Sequence, residues 1–429
     1  MRSPSWVLLL SAAAAACGGS YEPPAFTDLG GELEIDNCDY KVTTKFGAEP
    51  PRVSKDFVGD APTPRLVHLG LMGDPRTTMV AQWRTMDEVT RSGEIRYAEG
   101  ADLDAAALTK KQTGIEFGYQ ATGSQIYRMH QAHLCGLKPN TTYSYQVGSE
   151  GYYSPVRSFT TAPDITANPD AQVVFGFMGD TRDGYDVWEK LATQIGQHTP
   201  NLILFSGDAV TIGLTQHEWE LFFARAEELL ASVPIVFAHG NHEVNATPYF
   251  SQFAMPGDQE NFGFDYGHAH ITVANDTPVD IAALTGSTVD FLKADFEASK
   301  NARWKILMHH QPMWSASNHG SNLTLQQKWQ PIVDQYHIDL VLNGHEHEFE
   351  ITKPMVGQTP QASMENATVY VVAGGGGAEL YANGTDFWTQ YSESTHNAGL
   401  LRVRRDQLVF EAYRDDGTVI PAGFTKTKP

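Results

Sequence analysis

The stretch LILFSGDAVT, residues 202–211, decides the fold: four large apolar residues end at Ser-Gly and deliver an aspartate, Asp208. Four other segments repeat the arrangement. VVFGFM leads into GDTR at 179–182, PIVFAH into GNHE at 240–243, KILM into HHQP at 309–312, and IDLVLN into GHEH at 344–347. Short apolar runs rich in β-branched and aromatic residues and bounded by Gly read as buried strands. Each is followed at once by Asp, Asn or His, and open α/β sheets place their chemistry beyond the carboxyl ends of strands.

Between these runs lie YDVWEKLATQIGQH (185–198), TQHEWELFFARAEELLA (215–231), TVDFLKADFEASKNA (288–302) and LTLQQKWQPIVDQYH (323–337). Their apolar residues recur at three- and four-residue intervals, as core-facing helices require. Strand–helix alternation predicts βαβ units with helices on the sheet faces. Beyond 365, ATVYVVAGG, AGLLRVRRD, QLVFEAYRD and TVIPAGF are strand-like again and would add a second sheet.

Oxygen and imidazole ligands gathered from several strand ends describe a cluster of hard-to-borderline cations, and hence metal-dependent hydrolysis. Taken singly the residues say less. Asp180 after Gly179 reads as a helix cap, and Asn241 as a turn residue. The ordered set makes the metal reading the better one.

The 429 residues suffice for two or three domains with sizeable cores. At 41% hydrophobic and 19% charged, the composition is globular. A formal charge of −21 argues against nucleic acid as a partner, which would need a basic stripe. It leaves room for an anionic substrate, because bound cations can dominate the local field.

Residues 1–16 read as an export signal: Arg2, then WVLLL and a run of alanines up to Cys17. The span is short for a transmembrane helix. Small residues before Cys17 and Gly-Gly-Ser after it resemble a bacterial lipoprotein cleavage box, although Ala14 stands where Leu is usual. Lipidation of Cys17, the only membrane attachment expected, and ordinary cleavage nearby both stay open. The product would be periplasmic, secreted or lipid-anchored at the cell surface. Cys38 and Cys135 then remain as an even pair, which in an oxidising compartment favours a disulfide over two buried thiols.

Residues 17–62 form a Pro-, Gly- and acid-rich tether and lead-in. From 63 to 163, VHLGLM, TTMVAQWRT, SGEIRYA, QIYRMHQAHLC, TTYSYQVGS and VRSFTTA are strands separated by turn signals. They imply a β-sandwich. The stretch LCGLKPNTTYSYQVGS resembles fibronectin type III-like domains, including those preceding the catalytic domain of purple acid phosphatases. Tyr143 and Tyr145 would then be core or corner residues. A Pro-rich linker, TAPDITANPDAQ, leads into the larger region, 164–429.

The five motifs together resemble the calcineurin-like metallophosphoesterases, and the two-part order resembles purple acid phosphatases. That resemblance implies a four-layer α/β sandwich, two sheets flanked by helices, behind an all-β domain. It implies two metal ions, drawn from iron, zinc and manganese. Asp180 would bind the first, Asp208 would bridge, Asn241, His310 and His345 would complete the second, and His347 would serve the first. A bridging carboxylate holds two cations close while screening their repulsion, and such a pair clamps a phosphoryl group. His242 would be free for acid–base work or phosphate binding. The family's His-x-Pro form selects His310 over His309, which would face away or pack structurally. His319 lies at the spacing of a substrate-facing histidine in plant purple acid phosphatases; a solvated loop histidine is the alternative. His396 reads as structural.

Two positions depart from the family. Thr211 stands where purple acid phosphatases have Tyr, and Arg182 where many relatives have His. The first site would then rely on Asp180, Asp208, His347 and solvent. Arg182 would contact substrate phosphate or pair with Asp183 or Asp186. The implied activity is hydrolysis of phosphomonoesters by in-line attack of metal-bound hydroxide. Phosphodiesters or nucleotides are the enzymatic alternative, and a cell-surface binding protein with a decayed site is the alternative of another class.

Overall fold

The computed structural model describes residues 32–43, 52–53 and 57–429. The expected export signal, Cys17 and much of the tether lie outside the described residues.

Ten strands between residues 52 and 160 make two antiparallel five-stranded sheets. One holds Arg65–Gly70, Thr78–Thr85, Ile126–Cys135, Ile115–Gln120 and Arg52–Val53; the other is centred on Glu94–Glu99 and Thr142–Ser149. Lys110–Thr113 and Ile115–Gln120 were not expected as strands. Gly114 between them breaks what the sequence shows as one short, polar-flanked run, and each piece joins a different sheet. Tyr143 and Tyr145 are buried, and the Tyr143 hydroxyl accepts a bond from the Lys138 N–H at 3.0 Å. Cys38 and Cys135 are disulfide-bonded, tying the hairpin of Glu32–Glu34 and Lys41–Thr43 to the sandwich across 97 positions of sequence.

The larger region has two main sheets, besides the short hairpin of Met355–Val356 and Thr359–Pro360. In the first, Val173–Met178, Leu202–Phe205 and Ile235–Phe237 run parallel, and Asn397–Val403, Gln407–Arg414 and Val419–Thr427 continue it antiparallel. The second has a parallel centre of Ala269–Val273, Trp304–Met308, Leu340–Asn343 and Val369–Ala373, with antiparallel strands outside it. The C-terminal strands therefore do not form a sheet of their own: one enters the centre of the second sheet and three extend the first. The free side of Val173–Met178 is an apolar edge, and Asn397–Val403 covers it.

Alternation along the second sheet reveals the layers. Ile306, Met308, Leu340, Leu342, Val369 and Val371 point into the main core, whereas Leu307, Val341 and Tyr370 join Phe291, Trp329 and Val333 under the outer helices. On the first sheet, Tyr185–Gly196 and Gln216–Leu230 stack Trp188 on Phe222 and set both edge-on to Phe205. Helix, sheet, sheet and helix thus form four layers. The helix expected over 323–337 is split into Leu323–Lys328 and Gln330–Gln335, because Pro331 has no N–H to continue the first helix.

The sandwich rests on Gln216–Leu230. The Tyr145 hydroxyl donates to the Ala231 carbonyl at 2.6 Å, and the Glu227 carboxylate accepts the Leu66 and Val67 N–H groups. Arg84 pairs with Glu220, and Tyr119 donates to Gln216. Among the described residues no helix is long and apolar enough to cross a membrane.

Candidate metal centre

Asp180, Asp208 and His345 each follow a buried strand and turn sharply, with φ of 62°, 57° and 69°. Left-handed backbone is disfavoured for residues with a side chain, and such strain persists where a site over-determines it. The turns bring the two carboxylates close to neighbouring backbone. A Cβ at Gly344 would lie 2.2 Å from Asp180 Oδ2, and one at Gly240 would lie 2.3 Å from Asp208 Oδ1. Only glycine allows either approach.

Asp208, His310 and His345 each offer one ligand atom within 4.8 Å of the others. The tautomer of His310 follows from its surroundings. Its Nδ1 lies 2.8 Å from the Ser206 carbonyl, which can only accept, so Nδ1 carries the proton and Nε2 offers a lone pair. That Nε2 faces Asn241 Oδ1 at 3.0 Å, His345 Nδ1 at 3.2 Å and Asp208 Oδ2 at 3.3 Å. Four electron-rich atoms thus converge on one point. A proton on Nε2 serves one such approach; a cation serves all four. The donor set, two imidazoles, a carboxylate and an amide oxygen, fits a borderline divalent or trivalent ion.

Electrostatics repeat this demand for positive charge. Burial works against charge on His310, but the Asp208 carboxylate outweighs it and lifts the imidazole to about 10. Burial pushes the Asp208 carboxyl up, and His310 more than reverses the effect, leaving it below its ordinary value. Asp180 is pushed well up by burial, and the Asp208 charge adds to this although His310 opposes it. Burial, with the charge of His310, lowers His345 to about 2; burial also lowers His347 to about 4. Both are neutral at ordinary pH, with lone pairs to offer.

Asp180 and His347 stand beside this cluster. Asp180 accepts the His345 N–H with both oxygens, at 2.9 and 3.0 Å. His347 Nδ1 donates to the Glu379 carbonyl at 2.7 Å, so its Nε2 is a free lone pair 3.7 Å from Asp180 Oδ1. Arg182 meets that lone pair: its Nη2 is 3.1 Å from His347 Nε2 and 3.3 Å from the Tyr381 hydroxyl. Among the described residues Arg182 has no ion pair with Asp183 or Asp186; Asp186 pairs with Arg225. Tyr381 stacks on His347 at 4.0 Å and 14°.

His242 donates Nδ1–H to the Thr211 carbonyl at 2.6 Å, which aims Nε2 at Asp208, 3.8 Å from Oδ2. His319 is half-exposed, with its ring 4.7 Å from that of His345, and Glu346 accepts its backbone N–H at 2.8 Å. His309 lies outside the cluster. It is fully buried, bonded to Asp276 at 3.0 Å and set edge-on to Trp329. His396 bonds the Gly375 carbonyl.

Three contributors escaped the sequence reading. Glu243, fully buried, accepts the backbone N–H groups of Asp208, Ala209 and Gly240 at 2.8–3.0 Å and so clamps the loops of Asp208 and Gly240 together. It is the last residue of GNHE, where its position could have drawn attention. Tyr381 sits in a loop with no local signal. Glu346 hides between two histidines of GHEH.

Residues 173–349 match the calcineurin-like phosphoesterase family, and residues 64–161 match the purple acid phosphatase N-terminal domain. A purple acid phosphatase of Glycine max is 25% identical over 367 residues, 77% of this chain and 76% of its own length. Acid phosphatase type 7 of Danio rerio is 24% identical over 399 residues, 82% and 88% of the two chains. Purple acid phosphatase PPD1 from yellow lupin seeds superposes with a TM-score of 0.73 at 16% identity, covering 85% of this chain and 74% of its own. The chain thus carries a purple acid phosphatase N-terminal domain followed by a calcineurin-like metallophosphoesterase domain, the two-part order of a purple acid phosphatase-like hydrolase.

Proposed function

We propose that the protein is an exported phosphomonoesterase acting through a dinuclear metal centre, built as a sandwich domain over 63–163 and a catalytic domain over 164–429. The observation that carries this reading is the convergence of lone pairs from Asp208, Asn241, His310 and His345, with Asp180 and His347 alongside. Asp208, Asn241, His310 and His345 would hold one cation; Asp180, Asp208 and His347 would hold the other. When bound, the pair would polarise the phosphoryl oxygens and lower the pKa of water.

The remaining residues act around that centre. His242, fixed by the Thr211 carbonyl, presents Nε2 on the open side of Asp208, in position to donate to a leaving oxygen. His319 lies at the rim beside His345 and assists there. The Arg182 guanidinium offers planar donors to substrate phosphate once it leaves His347. Because Arg182 shares the His347 lone pair and Thr211 supplies no phenol, the Asp180 side holds its metal less tightly than the Asn241 side. The monoester preference is supported by the two-part resemblance to purple acid phosphatases. Export is supported by the apolar start of the chain and the Cys38–Cys135 bridge.

Chelation, metal analysis and a panel of mono- and diesters test the reading. The wild type should lose turnover on chelation, regain it with divalent metal and bind two equivalents. Asp208→Asn should fold yet lose about 10²–10³-fold or more in kcat. Near-native turnover by that variant would refute the bridging role, and full activity in the chelated wild type would refute the metal reading.

A further inference from the structure

A groove of about 490 Å³ opens directly from Asn241. Its walls come from three loops at the carboxyl ends of strands, carrying residues 244–245, 276–281 and 311, and from the start of the helix Leu323–Lys328. The rim is apolar and open to solvent: Val244, Val279 and Ile281 are 49%, 74% and 70% exposed. Val244 also holds φ +46°, a conformation that a β-branched residue rarely adopts. Its neighbour Glu243, clamped to the ligand loops, keeps that turn in place. The rest of the lining includes the uncharged amides of Asn241, Asn245, Gln311 and Asn322 and the hydroxyl of Thr324.

The charge of this wall is as informative as its shape. Among the described residues no Lys or Arg lines it; the ionisable groups are the buried carboxyl of Asp276, bonded to His309, and, within the same loop, the Asp280 carboxylate, which accepts the Ala282 N–H. The cationic side chain near the centre, Arg182, stands with His347 and Tyr381, away from the groove. A second phosphate or carboxylate on the substrate would meet no positive partner in the groove. A flat, uncharged ring would cover Val244, Val279 and Ile281, and exposed apolar surface beside a site is where such a group binds.

We propose that this groove receives the leaving-group alcohol of the substrate and selects uncharged, ring-bearing alcohols over polyanionic or purely polar ones. This rests on the phosphomonoesterase reading and names its substrate class. Aryl alcohols and nucleosides share the required chemistry, and the test separates them.

The experiment compares kcat/KM for phenyl phosphate, adenosine monophosphate, glycerol 2-phosphate and pyrophosphate in the metal-loaded wild type, in Val279→Asp/Ile281→Asp, and in Ile212→Asp. Ile212 is half-exposed and lies outside the groove, so its variant controls for surface charge. The wild type should prefer one or both ring esters over glycerol 2-phosphate and pyrophosphate by at least tenfold. The double variant should lose about tenfold of that preference, through KM. Preference for phenyl phosphate alone assigns the groove to aryl alcohols; preference for adenosine monophosphate assigns it to nucleosides. Calorimetry with adenosine and with phenol on the chelated protein gives a readout independent of turnover. The ligand of the preferred class should bind the wild type and bind the double variant at least tenfold more weakly. A ratio unchanged in the double variant, or lowered equally by Ile212→Asp, overturns the groove assignment while leaving the phosphoesterase standing. No turnover of any ester overturns both.

Discussion

Replacing Glu243 tests whether the ligand loops are held by one buried carboxylate. Its Oε2 accepts the Asp208 and Gly240 N–H groups and its Oε1 accepts that of Ala209, all at 2.8–3.0 Å. Glu243→Ala leaves three buried donors unpaired, each costing about 1–3 kcal/mol. Part of this is offset, because burial and the nearby Asp208 charge disfavour the ionised carboxylate and push its pKa up to about 8. The net loss should be about 3–5 kcal/mol. In Glu243→Gln the amide oxygen takes the place of Oε2 and keeps two bonds, while the NH₂ group confronts the Ala209 N–H. That variant should lose about 1–3 kcal/mol. The ordering, Ala worse than Gln, separates this account from a simple loss of packing. The assay is urea unfolding of chelated protein followed by tryptophan fluorescence, read at the transition of the catalytic half because two domains need not unfold together. Metal stoichiometry on the same samples reports whether Asp208 has shifted. A Glu243→Ala variant within about 1 kcal/mol of wild type and holding two metals would refute the reasoning.

Three further outcomes are expected. Reducing the Cys38–Cys135 bridge releases a loop of 97 residues, which the chain-entropy relation values at about 4–5 kcal/mol; unfolding of Cys38→Ser/Cys135→Ser should show a loss of that order in the sandwich, and an unchanged midpoint would contradict it. Burial opposes charge on His270, yet bonds to Asp265 and Asp295 raise it to about 9. Its stabilising contribution is therefore complete below pH 6.5 and lost as pH rises through 9. Since Asp265 is largely exposed, the contribution is about 1–2 kcal/mol, and His270→Gln should flatten that part of the pH–stability curve. The iron-loaded protein should lack a strong tyrosinate band, because Thr211 has no phenol. A strong band that vanishes in Tyr381→Phe would show that the phenol stacked on His347 takes that role.

The gathering of the candidate ligands was legible because each of these residues lies within a few positions of its own strand. The choice of His310 over His309 was legible for the same reason: adjacent residues at a strand end face opposite ways, and only one meets Asp208. Arg182 was harder to read. Its partners, His347 and Tyr381, lie 165 and 199 residues away, whereas the nearby Asp183 and Asp186 were the visible choices. Sheet membership of the C-terminal strands was not legible either. Asn397–Val403 is buried on both faces along nearly its whole length, and the uncovered edge of Val173–Met178 determines where it pairs. Pro331 was visible inside the expected helix, and its break is the ordinary consequence of a missing N–H.

The seat of the sandwich on Gln216–Leu230 makes the two halves a single heritable unit. That helix starts five residues after Thr211, whose carbonyl aims His242, and its outer groups are already committed: Glu227 to the Leu66 and Val67 amides, Glu220 to Arg84, Gln216 to Tyr119. Excising residues 164–429 would strip those groups of their partners and bare Phe223 and Phe253, which now enclose His68. Loop swaps and insertions can therefore vary around the groove, but recombination that exchanges one half must bring the matching face of the other with it.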